Sequence, residues 1–215
     1  MNSRDIMVIG CDIVPKESKL YMIRDRNDYV KKITNDNVIN IIGTKGSGKT
    51  TSTLEYINDD NYIVINCDRL YDMPEDNIKE DEYLSEIKNM LKEKYGKICE
   101  GEEFINCYND ILDFISKKHK KAIIEGNVIY DIKPITSLKG TIIVKRTGIV
   151  KCFIRTIKRD YPNKYYLSKE IEKHGKTLGK LYRLKNIIKR RKNIFKIYHD
   201  IEIIIDELEL YKNVI

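Results

Sequence analysis

The chain of 215 residues has no tryptophan, only four prolines and no apolar run near the roughly 18 residues that cross a membrane. No membrane contact is therefore expected. The N-terminus combines acidic and basic residues with a very short apolar run, which is not typical of a signal peptide. The five cysteines form no CxxC pair and their number is odd, so neither a disulfide framework nor a zinc site is favoured. A cytoplasmic location with buried, reduced cysteines is expected.

Acidic residues are scarce in one part of the chain. Residues 141–200 contain 18 Lys and Arg but only four Asp and Glu, a formal charge of +14 that leaves −7 for the rest of the chain. Such a basic segment predicts contact with an anion, whether a nucleotide, a nucleic acid or an acidic partner. The alternative is a basic helix surface that faces only solvent.

Strand and helix patterns alternate along the chain. Short apolar runs predict strands at 5–9, 20–23, 38–42, 61–68, 121–126, 140–146 and 201–206. Helical patterns lie at 24–33, 50–57, 81–96, 102–121, 150–161 and 178–199. This alternation predicts a single α/β domain over residues 1–215, with a parallel sheet of about five strands covered by helices on both faces.

A glycine-rich loop, GTKGSGKTT, follows the predicted strand at 38–42 and precedes a predicted helix. It satisfies the pattern GxxxxGK[ST] at every fixed position, which is typical of a P-loop NTPase fold. Glycines let backbone amides approach phosphate oxygens, and the helix that follows directs its positive end at the same anion. We expect Lys49 to contact the β- and γ-phosphates of ATP and the Thr50 hydroxyl to bind Mg²⁺. The predicted nucleotide-binding residues are Gly43, Thr44, Lys45, Gly46, Ser47, Gly48, Lys49, Thr50 and Thr51.

Two carboxylates follow other predicted strands. Asp68 ends the run YIVINCD, and Glu125 ends KAIIE before Gly126. Ligands of such sheets bind beyond the carboxyl ends of the strands. A kinase needs one carboxylate to orient the acceptor hydroxyl and another to hold Mg²⁺, directly or through water. We assign the first role to Asp68 and the second to Glu125; capping of a following helix is the alternative for both.

Three further segments resemble the uridine kinase and phosphoribulokinase group of P-loop kinases. CDRLYD (67–72) is similar to its D-x-[FL]-Y segment, and IIEGNVIYD (123–131) to its strand-EG-x-x-x-[FY] segment. CFIRTIKRD (152–160) resembles its R-x-x-R-R-x-x-R-D helix, with Cys152 and Thr156 at two of the arginine positions. The resemblance implies that Arg155 and Arg159 belong to a basic lid that closes on the phosphates.

A second resemblance leaves the branch of kinases open. INCD (65–68) is also similar to the IN-x-D segment of polynucleotide 5′-kinases and zeta-toxin-type kinases. Those proteins usually have an arginine three residues after the Asp, where this chain has Tyr71.

The combined hypothesis is an ATP- and Mg²⁺-dependent phosphotransferase that acts on a nucleoside, a nucleotide or a related small hydroxyl compound. Residues 72–118 would shape the acceptor pocket and residues 147–180 would form the lid. Residues 1–37 would pair at the sheet edge or form a dimer contact. The alternatives are a polynucleotide 5′-hydroxyl kinase and a nucleic-acid-binding ATPase, each using the basic segment 141–200.

Overall fold

The computed structural model describes residues 6–9, 20–23, 36–56, 59–72, 82–97, 103–126 and 138–212. The strands are β1 (Ile6–Ile9), β2 (Leu20–Ile23), β3 (Val38–Ile42), β4 (Tyr62–Asn66), β5 (Lys121–Glu125) and β6 (Thr141–Lys145). The helices are α1 (Lys49–Thr53), α2 (Cys67–Asp72), α3 (Glu82–Tyr95), α4 (Phe104–Lys117), α5 (Ile149–Asp160), α6 (Lys164–His174), α7 (Lys176–Arg190) and α8 (Asn193–Lys212). A 3₁₀ turn, Leu54–Tyr56, follows α1.

The strands form one sheet in the order β1-β2-β6-β3-β5-β4. Among the described strands, only the β1–β2 pair is antiparallel; the other neighbours pair in parallel. The predicted α/β class with a parallel sheet is confirmed, although the described residues form six strands instead of about five. Within the segment 1–37, β1 and β2 pair at the sheet edge, which is the first of its two expected roles; the second, a dimer contact, stays a prediction.

Both faces of the central strands are buried, which explains their continuous apolar runs. In β3, Ile39 and Ile41 point to one face, where Ile143 and Tyr56 also lie. The neighbouring residue Ile42 belongs to the cluster on the opposite face. Side chains alternate between faces along a strand, so each strand contributes to two apolar layers.

Helices α3 and α4 cover the larger cluster with amphipathic surfaces. The members that these two helices supply are Leu84, Ile87, Leu91, Phe104, Cys107, Tyr108, Ile111, Leu112 and Ile115. Tyr108 also ties α4 to the sheet, because its hydroxyl donates to the buried Asn40 Oδ1 at 3.0 Å. Burial raises the pKa of Tyr108 to about 12, so this hydroxyl remains a donor.

Four predicted elements differ from the structure. The strand expected at 61–68 ends at Asn66, and Cys67 and Asp68 begin α2. The run 201–206 was expected to be a last strand, but it lies inside α8. The single helix expected at 178–199 is divided at residues 191–192 into α7 and α8. The helix expected at 50–57 is the five-residue α1 followed by the 3₁₀ turn. The helix predicted at 24–33 lies outside the described residues, as do Cys11 and Cys99.

The predicted lid region, 147–180, is mostly helical. It contains α5, α6 and the first turn of α7. Helices α6 and α7 pack closely: a Cβ added at Gly179 would lie 2.6 Å from the Glu170 carbonyl oxygen. His174 stacks on Tyr182 with ring centroids 4.1 Å apart. The polar composition of residues 162–179 therefore reflects an exposed helical hairpin.

Asp160 joins the end of α5 to the α7–α8 junction. Its carboxylate accepts hydrogen bonds from Arg159 Nε at 3.0 Å and Arg191 Nε at 2.7 Å. Its carbonyl oxygen accepts a third from Arg183 Nη2 at 2.6 Å. The end of α5, which carries the predicted lid arginines, is thus attached to the basic helices. Within the described part of the chain, no helix is long and apolar enough to cross a membrane.

Candidate active site

The glycine-rich loop lies between β3 and α1, at the carboxyl end of the sheet. A turn begins it, in which Ser47 N donates to the Thr44 carbonyl oxygen at 2.9 Å. Gly48 then adopts a left-handed conformation, with φ 95°, immediately before α1. Residues without a Cβ adopt this conformation at little cost. The left-handed backbone that precedes α1 thus explains why the pattern has a fixed glycine at Gly48.

Helix α5 and Thr147, which precedes it, contact the glycine-rich loop. A Cβ at Gly46 would collide with the Cys152 carbonyl oxygen and lie 2.7 Å from Thr156 Oγ1. Thr147 Oγ1 donates to the Ser47 carbonyl oxygen at 3.0 Å, and Arg155 Nη1 lies 3.4 Å from that of Gly46. Cys152 and Thr156 replace two arginines of the kinase helix that α5 resembles. Both are buried and contact the loop.

Lys49 is buried beneath the loop, with 7% of its surface exposed. Its ammonium group donates to the carbonyl oxygens of Gly43 at 2.7 Å and Thr44 at 3.4 Å. Burial lowers the pKa of Lys49, while the carboxylates of Asp68 and Glu125 oppose this shift. An anion at the loop would favour the charged form of Lys49 in the same way.

Thr50 and Glu125 meet directly, although 75 residues separate them in sequence. Thr50 Oγ1 donates to Glu125 Oε1 at 2.9 Å, and Asn66 Nδ2 donates to the same oxygen at 2.8 Å. Glu125 has 1% of its surface exposed, and burial raises its pKa against the opposing effects of Lys49 and Thr50. The structure thus brings together the two residues that the sequence assigned to Mg²⁺.

Two buried oxygens beside this contact, Glu125 Oε2 and Asn66 Oδ1, have no hydrogen-bond partner among the described residues. Buried acceptors normally find a donor or a cation, because leaving them unsatisfied costs free energy. Carboxylate, amide and hydroxyl oxygens are the ligands that Mg²⁺ accepts, usually together with substrate phosphates. The donor set at Thr50, Asn66 and Glu125 fits such a cation. Among the described residues, no group of three or more His, Cys, Asp or Glu is placed to hold a metal ion.

Asp68 lies in the first turn of α2, just after β4. Its Oδ1 would be 3.1 Å from a Cβ at Gly126, so the glycine that follows Glu125 permits this approach. The carboxylates of Asp68 and Glu125 therefore reach the site from two neighbouring strands.

One cavity of about 670 Å³ contains the predicted site. Loop residues 45–51 line it together with Asp68, Glu125, Arg155 and Arg159. Gly43 and Thr44 do not line it; they provide the carbonyl oxygens that hold Lys49. Arg159 is also paired with Asp160.

Four lining residues were not predicted from the sequence: Asn66, Arg69, Lys145 and Thr156. Asn66 and Lys145 are the last residues of β4 and β6, so the rule that identified Asp68 and Glu125 would also have found them. Lys145 has 5% of its surface exposed and donates to Ser52 Oγ. No described residue of the expected acceptor region, 72–118, lines the cavity; residues 73–81 and 98–102 lie outside the described part.

The cysteines contribute packing. Cys67, Cys107 and Cys152 are buried, as the sequence predicts, and these described cysteines form no disulfide. Burial raises the pKa of the Cys67 thiol well above its ordinary value, which keeps it protonated and unreactive.

Comparison with known proteins found no matching family model and no matching curated protein. The functional interpretation therefore depends on the residues and geometry of this chain.

Proposed function

We propose that this protein has a P-loop NTPase fold and is an ATP- and Mg²⁺-dependent phosphotransferase. Its γ-phosphoryl acceptor would be a hydroxyl group of a nucleoside, a nucleotide or a related small compound. One observation carries the proposal: the glycine-rich loop, the carboxylate of Glu125 at the end of β5 and that of Asp68 at the start of α2 line the same cavity. Buried, reduced cysteines are consistent with the proposed cytoplasmic location.

The loop would bind the triphosphate of ATP. Its backbone amides and Lys49 supply positive groups on one wall of the cavity. The Lys49 ammonium group now bonds two carbonyl oxygens of its own loop. Exchange of these bonds for phosphate oxygens needs only a side-chain movement.

Thr50, Asn66 and Glu125 would hold Mg²⁺. The two unpaired oxygens, Glu125 Oε2 and Asn66 Oδ1, support this assignment. The bound cation would neutralise charge on the β- and γ-phosphates during transfer. Since binding requires ionised Glu125, whose pKa is raised, cation binding is expected to release protons at mildly acidic pH.

Asp68 would accept a hydrogen bond from the acceptor hydroxyl and take its proton as the oxygen attacks the γ-phosphorus. The bond from the γ-phosphorus to the bridging oxygen breaks, and ADP leaves with that electron pair. Arg155 and Arg159 would stabilise charge on the transferred group from the α5 side.

The test is transfer from γ-labelled ATP with Mg²⁺ to nucleosides, nucleoside monophosphates and 5′-hydroxyl oligonucleotides in parallel. Labelled acceptor is expected, and Lys49→Ala should abolish labelling. Lys117→Gln removes an exposed charge of α4 outside the cavity and serves as the control. Unchanged turnover in Lys49→Ala would contradict the proposal.

A polynucleotide 5′-hydroxyl kinase is the second candidate, and the surface of α6 and α7 favours it. Helix α7 contains no acidic residue. Tyr165 is 65% exposed, and the guanidinium of the exposed Arg190 lies 6.0 Å from the ring centroid of the exposed Tyr166. Aromatic and cationic side chains of this kind bind single-stranded nucleic acids. Label on the oligonucleotide would identify this activity, whereas free phosphate that rises with DNA or RNA would instead indicate a nucleic-acid-binding ATPase.

A further inference from the structure

Arg69 places a cation beside the residue proposed to orient the acceptor. Asp68 and Arg69 are consecutive in α2, with Cα atoms about 3.8 Å apart, and both side chains line the cavity. We infer that Arg69 binds an anionic group of the acceptor, so the acceptor is a hydroxyl compound that already carries a phosphate. This inference rests on the proposed function and narrows its substrate class.

The charge of the cavity supports a second anion. Its lining contains two carboxylates, Asp68 and Glu125. The six cations are Lys45, Lys49, Arg69, Lys145, Arg155 and Arg159. The formal charge of the lining is thus +4, or +3 when the ion pair of Arg159 with Asp160 is counted as neutral, whereas ATP with Mg²⁺ brings only about two net negative charges. A phosphate monoester adds about 1.5 to 2 more, and a neutral nucleoside adds none.

The cations lie in two places, beside the glycine-rich loop and on α2. Lys45 and Lys49 belong to the loop, and Lys145 lies against it, with its Cε 3.8 Å from a Cβ at Gly48. Arg155 also contacts the loop, through the Gly46 carbonyl oxygen. Arg69 comes from α2, which follows the next strand but one in the sheet. It therefore lies with Asp68 on the wall assigned to the acceptor.

Arginine suits this task, because its planar guanidinium can bind two phosphate oxygens at once. With its phosphate bound by Arg69, the acceptor would direct its hydroxyl at Asp68. The acceptor phosphate itself would remain unchanged, while the hydroxyl oxygen forms the new bond to the γ-phosphorus and its proton passes to Asp68. Arg69 would thus determine which hydroxyl compound is accepted.

Two sources of this phosphate are chemically equivalent for Arg69. One is a small sugar phosphate. The other is the phosphate that follows a terminal hydroxyl in a polynucleotide, of which a nucleoside 3′-monophosphate is the smallest form. The experiment therefore includes a pair of compounds for each source.

The experiment is calorimetric titration of the full chain saturated with Mg²⁺ and a non-hydrolysable ATP analogue. Nucleosides are compared with their 3′-monophosphates, and ribose with ribose 5-phosphate. At least one phosphorylated compound should bind about 10- to 100-fold more tightly than its parent, as expected for hydrogen bonds between charged groups. Arg69→Gln should remove this preference, Arg69→Lys should keep part of it, and Lys117→Gln, which removes an exposed charge of α4, should keep all of it.

A transfer assay on the preferred compound gives a second readout. Arg69→Gln should raise the acceptor KM by a similar factor and change kcat less. Equal binding of every phosphorylated compound and its parent, or no binding of either, would overturn the inference, as would a preference that survives in Arg69→Gln. If the ATP analogue itself does not bind, the proposed function fails and the inference falls with it.

Discussion

At the scale of single residues, the site depends on small side chains where α5 meets the loop. Cys152 and Thr156 are buried, and the backbone carbonyl oxygen of the first and the hydroxyl of the second lie against Gly46. The sequence predicts a requirement for glycine in the loop. It did not predict this contact, because the resemblance had placed phosphate-binding arginines at both α5 positions.

Gly46→Ala is expected to displace the loop. The new Cβ would collide with a backbone carbonyl and force a residue with φ 85° into a strained conformation. We expect a loss of about 1–3 kcal/mol in unfolding free energy and at least about a tenfold loss in ATP affinity. Gly148→Ala, whose Cβ would have no neighbour within 4 Å, is the control and should bind ATP normally. Normal ATP affinity in Gly46→Ala would show that the loop tolerates the displacement.

Glu125→Gln tests whether the Glu125 carboxylate stabilises the fold in addition to its proposed role in cation binding. Burial raises the pKa of Glu125, even with Lys49 nearby, so the folded protein binds this proton more tightly than the unfolded chain does. Ionisation of Glu125 therefore lowers stability as pH rises above the ordinary value of about 4.5. In thermal unfolding without ligands, the variant should match the wild type near pH 4 and be at least as stable at pH 7. A lower Tm for the variant at pH 7 would mean that the carboxylate stabilises the fold itself.

At the scale of elements, the carboxyl ends of four neighbouring parallel strands build the site. The sequence predicts Thr50, Asp68 and Glu125, because a motif or a strand end marks each of them. Asn66 and Lys145 were missed although they also end strands, because the strand-end rule was applied only to carboxylates. Arg69 follows a predicted residue, but only the orientation of α2 brings it to the cavity.

Asp160→Asn should loosen the attachment of α5 to the α7–α8 junction. Partial burial opposes ionisation of Asp160, but Arg159 and Arg191 outweigh it and hold the pKa of the carboxyl below its ordinary value. The stabilisation is present above pH 3.8 and is lost as pH falls below it. We expect the variant to lose about 1 kcal/mol or less at pH 7 and to exchange amide hydrogens faster in α7.

Glu172→Gln is the control for this change, because it neutralises an exposed acid of α6. Equal exchange rates in α7 of both variants would show that Asp160 does not couple these helices.

At the scale of the whole molecule, the α/β class and the covered parallel sheet were predictable from alternating patterns. The prediction of a last strand at 201–206 was wrong, because these residues lie inside α8. Residues 201–206 are rich in isoleucine, but the chain from 193 to 212 contains no glycine or proline to end a helix. Meanwhile β2 pairs with β6 and β1 pairs with β2, so the N-terminal segment occupies that side of the sheet. Which segment supplies an edge strand depends on the tertiary arrangement, and local sequence does not encode it.

The central claim is that the loop and the carboxylate of β5 bind a nucleotide and a cation together. Calorimetric titration with ATP, with and without Mg²⁺, tests it most directly in the wild type and in Glu125→Gln. We predict that Mg²⁺ increases the ATP affinity of the wild type by at least about tenfold and that Glu125→Gln loses most of this increase. An ATP affinity that Mg²⁺ does not change, or an increase that Glu125→Gln retains in full, would contradict the claim.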